Sequence, residues 1–148
     1  MKAKTLFITD IVVLLTLILS SFSGFMLHTA GHQDSHAIWH NWAALHCFAT
    51  LALTMSVGIH VYGHWNWYKS LFRNGLGNKS RVTVILTIVM IACIITGNIV
   101  LFRHQGPNSH LGLWHYIIGI IGIILTAIAL GHFFKRLQIL IKGLRRKN

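Results

Sequence analysis

Four stretches of this chain, Ile11 to Leu27, Ser35 to Tyr68, Val82 to Phe102 and His104 to Phe134, contain no charged residue other than histidine. Each is long enough to cross a bilayer, whose hydrocarbon core of about 30 Å takes roughly 20 apolar residues as helix. Lipid also dictates the secondary structure, because a lone apolar segment satisfies its backbone N–H and C=O groups there only as a helix. The composition agrees: 54% of the 148 residues are apolar, with 13 Lys or Arg and only 2 acids, far below the charged share of about one quarter usual in soluble domains. A water-soluble fold is not expected. The expected fold is all-α, a single four-helix transmembrane bundle with spans at about 6–27, 38–67, 82–102 and 111–134 and a basic tail over 135–148.

A formal charge of +11 would suggest nucleic acid in a soluble protein. Here the placement of Lys and Arg decides against it. Lys2 and Lys4 precede the first span; Lys69, Arg73, Lys79 and Arg81 fill the middle connection; Lys135, Arg136, Lys142, Arg145, Arg146 and Lys147 follow the last. The two remaining connections carry Arg103 alone. Cytoplasmic connections attract the positive residues, so both termini are expected in the cytoplasm, with the tail against anionic lipid. The expected location is a prokaryotic cytoplasmic (inner) membrane. A cleaved signal peptide is not expected, because the first apolar run is long and no small-residue cleavage site leads into a soluble domain.

Asp10 falls near the cytoplasmic start of span one, where Thr9 or Asp10 is expected to cap backbone N–H groups. Gly31, Gln33 and Asp34 lie in the first external connection, Asn74, Gly75, Gly77 and Asn78 mark the cytoplasmic turn, and Gly106-Pro107-Asn108 breaks the chain outside. A weak internal repeat is present: Phe22-Ser23-Gly24 resembles Ile95-Thr96-Gly97, and Trp39-His40 resembles Trp114-His115. The bundle is therefore expected to consist of two similar helical hairpins, with spans two and four running in the same direction.

Ionisable side chains within spans are costly and by default functional. Span two carries His46, His60 and His64; span four carries His115 and His132. His46 and His60 are 14 residues apart, about 21 Å along a helix axis and roughly 40° from alignment, so they share a face at two depths. With His115 near the outside and His132 near the inside, two cross-helix pairs arise, each able to occupy both axial positions of a haem iron. Span four fits less well, since His115 and His132 are 17 residues apart, about 25 Å and roughly 100° out of phase. His64, 18 residues from His46, is nearly in phase at about 27 Å and rivals His60 as inner ligand. Gly58, Gly119, Gly122 and Gly131 offer close approach to a flat macrocycle, or simply close helix packing.

The run His40-Asn41-Trp42-Ala43-Ala44-Leu45-His46, followed after 13 residues by His60 and then by His64-Trp65-Asn66-Trp67, resembles the flavinylation-associated cytochromes, small membrane proteins whose histidine and tryptophan motifs bracket one span. The 13-residue gap is also similar to that in the haem-bearing helices of cytochrome b from quinol-oxidising complexes. The resemblance covers residues 10 to 68 well and the second half loosely. It implies b-type haem, His46 and His60 as ligands, and electron transfer across the membrane to or from an extracytoplasmic redox partner, often flavin-bearing. The expected cofactor is thus non-covalent haem b, two per chain, and the expected function is electron transfer between a quinone pool or cytoplasmic donor and that partner.

Trp65, Trp67 and Tyr68, with Trp39 and Trp42 at the other boundary, read first as interfacial anchors and second as the lining of a quinone pocket. His28, His32, His36 and His40 recur every four residues outside the slab, with His104 and His110 in the other external connection. A stripe of this kind can chelate Zn²⁺ or Cu²⁺ if helical, which keeps open a metal-handling membrane protein as the alternative, beside a structural anchor of a larger complex. Cys47 and Cys93 form no CxxCH, which excludes covalent haem, and read as small core residues. No carboxylate pair, nucleophile triad or phosphate loop occurs, so the chain is expected as an electron-transfer component rather than a catalyst alone. The charge asymmetry is testable: a reporter active only outside the cytoplasm, fused after Asn148, should stay silent, and strong activity would overturn the topology.

Overall fold

The computed structural model describes residues 3–30, 36–76, 81–103 and 109–145. The expected positions His32, His104, Asp34 and Gly106-Pro107-Asn108 lie outside the described residues. All regular structure among the described residues is helical: α1 (Ala3–Ala30), α2 (His36–Gly63), α3 (Trp65–Asn74), α4 (Arg81–Phe102) and α5 (His110–Arg145). Four segments are long and apolar enough to cross a membrane: Thr5–Ala30, Ala37–Gly63, Arg81–Phe102 and His110–His132. Large apolar side chains point outward along all four, among them Leu15, Phe48, Ile88 and Ile124. Only a surrounding apolar solvent makes such a surface favourable, which identifies a multi-pass membrane protein.

With lipid outside, the seam between helices is built from small residues that let backbones approach. α1 packs along α2. Among the described residues of these two helices, those buried are Ser20, Ser23 and Ala30 of α1 and Ala49, Leu53 and Ser56 of α2. Asp10 meets His60, Thr16 Oγ1 lies 3.0 Å from Ser56 Oγ, and Ser23 meets His46, so the numbering rises on one helix as it falls on the other. α4 packs along α5, where a Cβ on Gly122 would rest 3.7 Å from Val89 Cγ1 and 3.9 Å from Met90 Sδ. α1 also touches α5, with the His28 and Tyr116 rings stacked at 4.0 Å.

The segment expected as one helix over 38–67 is divided. α2 ends at Gly63, and His64 (φ −98°, ψ 17°) precedes the separate helix α3. Glycine weakens the helix at this point. The sequence beyond it, Trp65-Asn66-Trp67-Tyr68-Lys69, mixes aromatic and charged side chains that favour a bilayer surface over its core. Tyr68 of α3 reaches α4, its hydroxyl 3.5 Å from Thr87 Oγ1. At the other end α5 continues without a break into the basic segment. Asp10 is not a cap, because α1 begins seven residues before it.

The seam predicts an asymmetry between neighbouring positions of α2. Ala49→Leu should overpack the α1 contact and cost about 1–3 kcal/mol, read as a lower thermal midpoint in detergent. Phe48→Ala, at an outward position, should leave the midpoint nearly unchanged.

Candidate functional site

Two groups of titratable side chains are assembled along α2. In the first, the rings of His46 from α2 and His115 from α5 face each other with centroids 6.2 Å apart and planes at 64°. Each ring is held from behind by the neighbouring helix. Ser23 donates its one hydroxyl hydrogen to the Ser20 carbonyl (3.0 Å), leaving its oxygen as an acceptor towards His46 Nδ1 at 3.2 Å. The Ser20 carbonyl itself lies 3.1 Å from the same nitrogen and can only accept. Nδ1 of His46 therefore carries the hydrogen. The same logic holds for His115: Thr96 Oγ1 donates to the helix carbonyls of Ala92 (2.9 Å) and Cys93 (3.1 Å), so at 3.1 Å it accepts from His115 Nδ1–H. In the neutral ring, fixing hydrogen on Nδ1 leaves Nε2 with a free lone pair, as in histidines whose other nitrogen binds a metal. Among the described residues neither Nε2 has a hydrogen-bond partner.

Glycine makes the placement of each ring possible. A Cβ at Gly24 would lie 2.9 Å from His46 Cε1, and one at Gly97 would lie 2.8 Å from His115 Cε1. Any side chain at either position would push its imidazole away. The matched segments Phe22-Ser23-Gly24 and Ile95-Thr96-Gly97 thus act alike, each using a hydroxyl and a glycine to cradle an imidazole from the next helix. The other sequence match does not carry over. His40, paired with His115 through the Trp-His dipeptides, is exposed beside Trp39, and His46 occupies the equivalent place.

The pair suits an iron held between two imidazoles. Their ring centroids stand 6.2 Å apart, and two neutral imidazole nitrogens would be suitable donors to an iron or another borderline metal.

The second group lies at the other end of α2. Nδ1 of His60 is 2.8 Å from Asp10 Oδ1, and His64 Nε2 is 3.7 Å from the same oxygen. The two imidazoles lie 4.6 Å apart, because the bond from His64 N to the His60 carbonyl (3.0 Å) carries the α2 turn through the end of the helix. The expected inner pair is not assembled here: His60 turns towards α1, whereas His132 lies exposed on α5 without a hydrogen bond, ion pair or ring contact among the described residues. Of the external histidines, His28 stacks on Tyr116 and His40 and His110 are exposed. A Cβ at Gly58, Gly119 or Gly131 would have nothing within 4 Å, so no helix packing among the described residues uses them.

The partners that orient these histidines escaped sequence reasoning. A carboxylate within an apolar helix was the available signal for Asp10, since such a group needs a partner of its own. Comparison with family models, curated proteins and solved structures finds no match to this chain.

The cradles predict a spectroscopic outcome. In ¹⁵N-histidine NMR, His46 and His115 should both show hydrogen on Nδ1. Gly24→Ala should displace the His46 signals and Gly97→Ala those of His115, while Gly58→Ala moves neither. Unchanged spectra in both cradle variants would contradict the arrangement.

Proposed function

We propose that this protein is a membrane-embedded b-type cytochrome subunit that holds a haem between α2 and α5 through His46 and His115. The observation that carries the reading is the pair itself: two imidazoles, each pinned by its Nδ1–H to the adjacent helix, with both Nε2 lone pairs free and the ring centroids 6.2 Å apart. Non-covalent haem b fits this donor set, because two neutral nitrogens add no charge to an apolar surrounding. When bound, the haem supplies a one-electron couple. The chain's own residues ligate and orient it. Ser20, Ser23 and Thr96 fix the ring tautomers, and Gly24 and Gly97 admit the rings against the backbone.

The duplicated Ser/Thr-Gly cradle supports reading the bundle as two similar helical hairpins, one contributing each ligand. Twelve Lys and Arg on one side against Arg103 on the other support an orientation with both termini in the cytoplasm of a prokaryotic cell. In that orientation the His46–His115 pair belongs to the extracytoplasmic half. The haem is then placed to exchange electrons with an extracytoplasmic redox partner, and the flavinylation-associated resemblance makes a flavin-bearing one the natural candidate. A quinone or a cytoplasmic donor serves the opposite side. The proposal rests on one haem, because His60 and His132 are directed to different surroundings.

Purified protein, reduced with dithionite, should give the sharp visible bands of low-spin bis-histidine haem. His46→Ala and His115→Ala should each lose them. Full haem content in either variant, or a wild-type protein without such bands, would overturn the assignment.

A further inference from the structure

We infer that Asp10, His60 and His64 form a binding site for a borderline divalent cation such as Zn²⁺, which ties α1 to the junction of α2 and α3. One ligand atom from each of the three residues lies within 4.8 Å of the others. The donor set, two imidazole nitrogens and one carboxylate oxygen, is that of three-ligand zinc sites with an open fourth position. Ligands about 2.0–2.1 Å from a tetrahedral centre stand roughly 3.3 Å from one another. The His60–Asp10 and His64–Asp10 separations of 2.8 and 3.7 Å bracket that value, and the third edge, between the two imidazoles, lies within 4.8 Å.

Two further observations point the same way. Nε2 of His64 is buried without a hydrogen-bond partner, and its 3.7 Å approach to Asp10 is too long for a hydrogen bond. A cation between them satisfies both atoms. Asp10 is one of only two acids in the chain and sits inside a helix apolar enough to span a membrane, where an uncompensated carboxylate is costly. His60 and His64 add no charge when neutral, so a divalent ion gives the carboxylate a partner that two neutral imidazoles do not. Asp10 is half exposed, which leaves the fourth position uncovered by the protein. The chemistry differs from that of the His46–His115 pair: a hard oxygen joins the nitrogens, and no facing imidazole completes an axial couple. The site stands independently of the haem reading.

Equilibrium dialysis of the full-length protein in detergent against micromolar Zn²⁺, followed by metal analysis, tests it. Wild type should retain one zinc per chain, with a raised thermal midpoint. Loss of a mere orienting partner costs a metal site about 10- to 100-fold in affinity, so Asp10→Asn and His64→Ala should each lose at least that much. A His32→Ala/His36→Ala/His40→Ala variant, removing external histidines, should keep the zinc. Gel filtration of each variant separates lost binding from lost folding, and His64→Ala, at a helix junction, serves if Asp10→Asn does not fold. The inference is overturned if wild type retains no zinc, if zinc survives in both site variants, or if it disappears with the external histidines instead. It is equally overturned if His60→Ala loses the visible haem bands, which would place His60 on iron.

Discussion

A polar group set inside an apolar slab must find its partner within the protein, and the inward-facing chemistry of this bundle follows from that constraint. Several threonine hydroxyls spend their single hydrogen on a carbonyl of their own helix, as Thr50, Thr87, Thr96 and Thr126 do at 2.8–2.9 Å. A hydroxyl so committed becomes an acceptor of fixed direction. The imidazoles facing Ser23 and Thr96 must then be donors at Nδ1, so backbone geometry on one helix sets the tautomer of a histidine on the next. No charged residue is needed for this, which suits the middle of a membrane.

Close packing is distributed unevenly. α1 and α2 share a seam of buried serines and alanines, whereas α4 has no buried residue at all. In lipid, helix association rests on van der Waals contact and hydrogen bonds rather than on expulsion of water. The α1–α2 seam is accordingly the rigid half of the framework. α5 meets it at the His28–Tyr116 stack and at the facing His46 and His115 rings.

The helices were legible in the sequence because their signal, long uncharged runs, is set by bilayer thickness alone. The break at Gly63 was not, because a run of uncharged residues does not reveal where a helix leaves the apolar layer. His46 and His115 were legible as candidates since histidine is conspicuous in a span. Their cradles were only half legible: Ser23-Gly24 and Thr96-Gly97 stood out as a repeat, but its purpose depends on which residue of the next helix lies opposite. The Trp39-His40 and Trp114-His115 match is offset from the cradled histidine of α2 by six residues. Helical spacing on one span fixes a face and a depth but never the partner, which is why His60 drew attention towards His132 while Asp10, 50 residues away, supplied the contact.

α1 was the least remarked segment at the level of sequence, yet it supports both groups on α2. Its Ser20 carbonyl and Ser23 hydroxyl hold His46, its Thr16 meets Ser56, and its Asp10 meets His60. Because successive residues on a helix are about 100° apart, slipping α1 by a single position against α2 would turn all three contacts out of the seam together. Register is thus specified by polar pairs spread along the helix, which the apolar stretches between them cannot do, since one aliphatic face packs much like the next. The histidines keep their positions because each is one rung of a ladder whose other rungs would have to break at the same time.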